Sequence, residues 1–201
     1  MLKKRSTKLL LAILTILVVI LAGFEVKSLL EASNSKEEVK ITTKRIGPYI
    51  VSTNQTAYQQ KVETQLQSAL DSGDAVQIVS EASKFFISDY FTLKDKTNKN
   101  NVGGMGFIFI DNQAQFKVNA IASYYRDLTT YQDAYGKANM PIVTNVTTGT
   151  PKKVSKSLVK VSDNSSLQVK SVYDIPVKWQ YEENDKLKEM NLINKASLRF
   201  V

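Results

Sequence analysis

The sequence predicts an α+β domain held behind an N-terminal membrane-spanning helix. Three observations predict it. Four cations lead into an uncharged run from Leu9 to Phe24. Apolar residues then recur at helical spacing between residues 55 and 135. From residue 142 onward the pattern changes to β-type, with the clearest alternation between Leu167 and Tyr181, the period of a strand with one buried face.

The uncharged run would make a helix of about 24 Å, against a hydrocarbon core of about 30 Å. Lys8 and Lys27 can snorkel to the interfaces, and Ser6 and Thr7 can extend the helix. Lys3, Lys4, Arg5 and Lys8 precede the run, while Glu25 and Lys27 cancel just after it. The positive-inside rule therefore predicts a cytoplasmic N-terminus and a single pass, with the remaining mass outside the cell membrane. A cleaved signal peptide is the competing reading. Leu21-Ala22-Gly23 is a poor cleavage site, and Phe24 stands where a lipobox would need cysteine. The expected organisation is a basic end at 1–8, an anchor at 9–24, a stalk at 25–52 and an extracytoplasmic domain at 53–201.

Within that domain, Tyr58, Val62, Leu66 and Leu70 predict a helix over 55–71, capped by Asn54 and ended by Gly73. Ile78, Val79, Ala82, Phe85, Phe86 and Tyr90 predict a second over 75–91, joined to the first as a helical hairpin. Residues 94–104 form a polar loop. Gly106–Ile110 reads as a short apolar strand. Asp111 or Asn112 is expected to cap a long third helix over 113–135, with Ala114, Val118, Ile121, Tyr125, Leu128 and Tyr135 as core positions. Gly136 and Pro141 close it.

Residues 142–148 and 154–161 read as strands, followed by a long strand over 167–181 and a last one to the C-terminus. Asn164-Ser165-Ser166 and Glu183–Lys186 supply the turns. Pro176 lacks a backbone donor, which predicts an edge position or a bulge.

Composition narrows the chemistry. The 201 residues include no cysteine and no histidine. The commonest zinc sites and the Ser-His and Cys-His nucleophile systems therefore cannot be built. No catalytic, cofactor-binding or metal-ligating residues are assigned. Half of the net charge of +8 precedes the membrane run, which weakens the case for a nucleic-acid binder. Lys152, Lys153, Lys156 and Lys160 are the densest basic patch and read as the solvated face of a hairpin. The Val102–Gly106 stretch lacks the Gly-Lys-Ser/Thr ending of a phosphate loop and reads as a tight turn. Asn54, Asn145 and Asn164 open glycosylation triplets, a pattern short enough to recur by chance.

The order helix, helix, short strand, long helix, then about four antiparallel strands resembles the nuclear-transport-factor-two-like fold, a cone-shaped roll. With a single membrane helix before it, the chain is similar to the bitopic assembly proteins of type IV secretion systems, the eighth VirB component and its Gram-positive conjugation relatives. The segments carrying the local resemblance are FFISDYF (Phe85–Phe91), VGGMGFIFI (Val102–Ile110), YYRDLTTYQDAYG (Tyr124–Gly136) and NMPIV (Asn139–Val143). The Asn-Pro-x-Gly loop of the Gram-negative members is absent.

The resemblance implies a conjugative-transfer scaffold without catalysis. Its partners would be the membrane, other channel subunits and copies of itself, and direct nucleic-acid binding is not expected. Two alternatives come from other classes. One is a surface-anchored module binding a small ligand in the cone mouth. The other is an isomerase-like enzyme, for which Asp111, Asp127, Asp174, Tyr124 and Tyr173 would be the acid-base groups.

Overall fold

The computed structural model describes residues 42–154, 158–162, 165–168, 171–190 and 192–200. The anchor expected at 9–24 and most of the stalk lie outside them. No helix among the described residues is long and apolar enough to cross a membrane. The described part is α+β, with four α-helices and antiparallel strands.

The chain enters through a two-stranded ribbon, β1 (Thr43–Ile46) and β2 (Tyr49–Ser52). The expected stalk therefore ends earlier than residue 52. Ile46 and Val51 are buried beneath the first two helices, and Gly47 turns the ribbon with a positive φ of 53°.

α1 (Ala57–Ser72) starts at Thr56, two residues beyond the expected Asn54. The Thr56 side chain accepts the Gln59 N–H, and the Gln59 side chain accepts the Thr56 N–H. This capping box satisfies two backbone donors at once. α2 (Ala75–Phe91) has the predicted bounds, with Asp74 as its cap. It is the central element: Ala82 and Phe85 pack toward the ribbon, while Ile87 and Phe91 pack toward the sheet.

Two sequence expectations fail between α2 and the sheet. Gly106–Ile110 is not a strand. Met105–Phe107 is a 3-10 turn, and Phe107 stacks on Tyr49 at 4.6 Å between ring centroids. Gln113 Nε2 donates to the carbonyls of Met105 and Ile108, so the apolar backbone is satisfied without a sheet partner.

The long third helix is broken into α3 (Ile110–Ala122) and α4 (Leu128–Tyr135). The Ala120 carbonyl accepts the N–H groups of both Ser123 and Tyr125, which closes α3. Tyr124 and Tyr125 then reach different carbonyls at the end of α2. On one unbroken helix these neighbours would diverge by about 100°. The break also shifts the buried face. Val118 is 59% exposed and Ala114 is exposed, whereas Phe116, Ala120 and Ile121 turn inward.

The main sheet is built on β7 (Val172–Tyr181). β8 (Lys195–Phe200) lies along Tyr173–Lys178. β3 (Val143–Thr148) and β4 (Lys152–Val154) pair with Val177–Tyr181 and Val172–Asp174. A strand has only two edges, so β3 and β4 follow one another along the edge opposite β8. β5 (Leu158–Ser162) and β6 (Ser165–Gln168) pair as a second ribbon. Residues 154–161 and 167–181 thus contribute to more than one strand each; of the expected Asn164-Ser165-Ser166 turn, Ser165 and Ser166 lie in β6 and Asn164 lies outside the described residues.

Alternation along β7 holds. Ile175, Val177 and Trp179 are buried, while Pro176, Lys178 and Gln180 are exposed. The expected edge position or bulge at Pro176 is not found: β7 is paired on both sides and Pro176 lies opposite Ser197 of β8 in unbroken register, while its missing donor faces the gap between β3 and β4, where the Gly149 N–H donates to the Pro176 carbonyl.

Candidate functional site

The densest polar arrangement among the described residues sits where the end of α2 meets the loop that follows it. Asp89, in the last turn of α2, and Asp95 in the loop converge on Lys96. The Lys96 Nζ lies 2.9 Å from Asp89 Oδ1 and 3.1 Å from Asp95 Oδ2. Lys96 is 3% exposed, although its sequence context is a polar loop. The Gly104 N–H donates to the other Asp89 oxygen at 2.7 Å. The remaining Asp95 oxygen is buried without a hydrogen-bond partner among the described residues.

Three further bonds tie this cluster to the helix break. The Tyr125 hydroxyl donates to the Tyr90 carbonyl and accepts the Gly103 N–H. Gln132 on α4 donates to the Lys96 carbonyl at 2.8 Å. Burial would lower the Lys96 ammonium, but the Asp89 and Asp95 carboxylates outweigh it and hold the group above its ordinary value. Burial raises Asp95, with Lys96 opposing. Burial also pushes the Tyr125 hydroxyl up.

The glycine loop around this cluster is packed, as the tight-turn reading expects. Gly104 has a φ of 73°. A Cβ on Gly103 would lie 2.2 Å from the Asp89 carbonyl oxygen, and one on Gly106 would lie 1.8 Å from the Ile50 carbonyl oxygen. The glycines admit backbone to backbone.

An open groove of about 440 Å³ lies beside the helix break, between Tyr90, Tyr124 and Tyr131 on one side and Met190, Leu192 and Ile193 on the other. Arg126 and Asp127 stand in its lining and pair with each other at 3.0 Å. Burial pushes the Tyr124 hydroxyl well above its ordinary range, with Tyr181 as the next cause.

Of the aspartates and tyrosines considered for acid-base work, Tyr124 and Asp127 line the same groove, and the others lie elsewhere. Asp111 is exposed in the first turn of α3. Asp127 precedes α4 and is taken by Arg126. Asp174 faces outward on β7 and makes a two-pronged bond with Arg199, at 2.6 and 2.7 Å. Tyr173 is on β7 and Tyr124 at the helix break. Of the basic patch, Lys152 and Lys153 are exposed on β4, and Lys160 pairs through its backbone with Ser166. Lys156 lies outside the described residues. Among those residues, no three acidic, histidine or cysteine side chains converge as a metal site.

The inner face of the sheet is filled by side chains. Trp179 stacks on Phe91 at 4.3 Å between centroids, and Ile87, Val143, Val146, Ile175 and Val177 complete the cluster. Sequence reasoning missed Asp89 and Lys96. Their signal was weak: one acid on the last turn of an apolar helix, and one lysine within a run of polar residues.

Compared with known proteins, the chain matches no family model, no curated protein and no solved structure.

Proposed function

We propose that this chain is a membrane-anchored scaffold subunit of a Gram-positive-type conjugative secretion channel. Its anchor at 9–24 crosses the cell membrane once, and the domain outside is a roll of the nuclear-transport-factor-two-like kind. It works by packing against copies of itself and other channel subunits, and it performs no reaction.

The observation that carries this reading is the filled inner face of the sheet. Phe91 and Trp179 occupy the space where a ligand-binding or catalytic roll would keep its pocket. Of the element order behind the resemblance, the helical hairpin before an antiparallel sheet, with α2 against its apolar face, supports the same reading, whereas the short strand and the unbroken third helix are missing from the described residues.

Deleting the gene from a mobile element tests the proposal. Transfer is expected to be lost while nicking of the element's DNA continues, and a variant lacking residues 1–30 should not restore transfer. Undiminished transfer contradicts the role. So does a complete locus without genes for a coupling ATPase, a relaxase and a lytic transglycosylase.

The groove beside Tyr124 favours a second reading, a module for a small apolar ligand. Mass spectrometry of an organic extract of the purified chain separates the two. A stoichiometric bound compound, displaced by Tyr124→Ala, would favour the module.

A further inference from the structure

The outward face of the main sheet carries a conflict that its own stability does not explain. Lys178 on β7 lies directly opposite Lys195 on β8. Like charges facing each other across strands destabilise a sheet. Both side chains are exposed, and neither makes an ion pair among the described residues. Thr147 on β3 pairs with Lys178 from the other side, so the row reads Thr147, Lys178, Lys195. Such departures from local consistency concentrate at functional sites.

The neighbouring rows define what would sit there. Toward one end Asn145 pairs with Gln180, offering amide donors and acceptors. Toward the other, beyond the Pro176–Ser197 row, Lys152, Asp174 and Arg199 form a row with one acid between two bases. Two adjoining concavities, of about 380 and 460 Å³, share Thr147, Lys178 and Lys195. Pro176 and Gly149 help line the second. They are so close that a Cβ on Gly149 would meet the proline ring at 2.6 Å. Lys178 and Lys195 are direct cross-strand partners, with Cβ atoms about 5 Å apart, close enough for both ammonium groups to meet one phosphate or two successive ones.

We infer that this face binds a linear phosphodiester polymer without bases, of the poly(polyol phosphate) type, centred on Lys178 and Lys195. Lysine ammonium groups serve as point charges for single phosphates, and the flanking amides and hydroxyl donate to polyol oxygens. Nucleic acid fits less well because the aromatic residues of β7, Tyr173, Trp179 and Tyr181, lie on the other strand parity. The outward positions of the paired strands therefore give bases no stacking platform. An acidic peptide is the competing occupant, and polyglutamate of matched charge distinguishes it. The inference goes beyond the scaffold role and stands on the face alone, so loss of either leaves the other.

The test uses the full chain in a zwitterionic detergent and a fluorescent poly(glycerol phosphate) oligomer, read by anisotropy. Saturable binding should weaken as salt is added. The double variant Lys178→Glu/Lys195→Glu should weaken it at least tenfold, while Lys178→Arg/Lys195→Arg retains it. Circular dichroism confirms that each variant is folded. Equal binding by the charge-reversed variant overturns the inference. So does equal affinity for a thymidine oligomer or polyglutamate of matched charge. Binding to phosphatidylglycerol vesicles without binding to the oligomer would assign the face to a membrane and overturn it as well.

Discussion

Two groups of lysines differ in where their counter-charges lie. Lys96 is almost fully buried, with a carboxylate on each side and a backbone amide completing the shell of Asp89. Lys178 and Lys195 are exposed and face each other across two strands. The first group ties a loop to α2 and the helix break. The second adds repulsion to a sheet that its apolar face already holds. Charge that is buried and paired reports on architecture. Charge that is exposed and opposed by its own sign is available to a partner.

Trp179 is the only tryptophan and is buried, so its fluorescence follows unfolding and can test this contrast. The largest effect is expected for Lys96→Met, which leaves Asp89 and Asp95 facing one another without compensation. Breaking a buried pair in this way removes roughly 3–5 kcal/mol, measured by denaturant titration. A loss near zero would break the distinction between the two groups.

Gly106→Ala should follow. Its new Cβ would press on the Ile50 carbonyl oxygen, with a loss of about 1–3 kcal/mol typical of overpacking. An unchanged midpoint would show that the turn does not hold the ribbon.

Asp95→Asn should cost less than about 1 kcal/mol, because Asp89 still neutralises Lys96 and the substitution removes a carboxylate whose burial is only partly offset. The pH dependence has a definite sign. The Asp95 pKa is raised in the folded state, so its ionisation subtracts stability above that value. Relief comes as pH falls toward the ordinary aspartate value of 3.8. The wild-type chain should therefore gain on Asp95→Asn as pH drops through this window, and a constant difference would contradict the assignment. Lys96 acts at the other end. Its contribution is complete below the ordinary lysine value of 10.5 and lost as pH rises beyond it.

The smallest effect is expected for Lys178→Gln. Its denaturation midpoint should stay unchanged or rise slightly, as a cross-strand repulsion is removed. A clear fall would make Lys178 structural and remove its contrast with Lys96.

The elements that were legible in the sequence are those whose pattern is set by one neighbour. α2 has the predicted bounds because its cap and apolar run are local. The alternation of β7 survives because each side chain chooses between two faces. The elements that were not legible depend on contacts distant in sequence. The segment GFIFI has strand composition but packs as a turn, since Phe107 finds Tyr49 and Gln113 finds the free carbonyls. Helical spacing continues through residues 123–127, yet Tyr124 and Tyr125 are drawn to separate carbonyls on α2. The partners of Lys96 lie on either side of the α2 terminus, and no spacing rule marks them.

The central claim is that the domain works outside the membrane, with the sheet face exposed there. The chain contains no cysteine, so single introduced thiols report topology without background. In intact cells, Ser197→Cys, on the exposed face of β8, should react with a membrane-impermeant maleimide, while Thr7→Cys should react only after lysis. Labelling of Ser197→Cys only after lysis would place the domain in the cytoplasm and contradict the account.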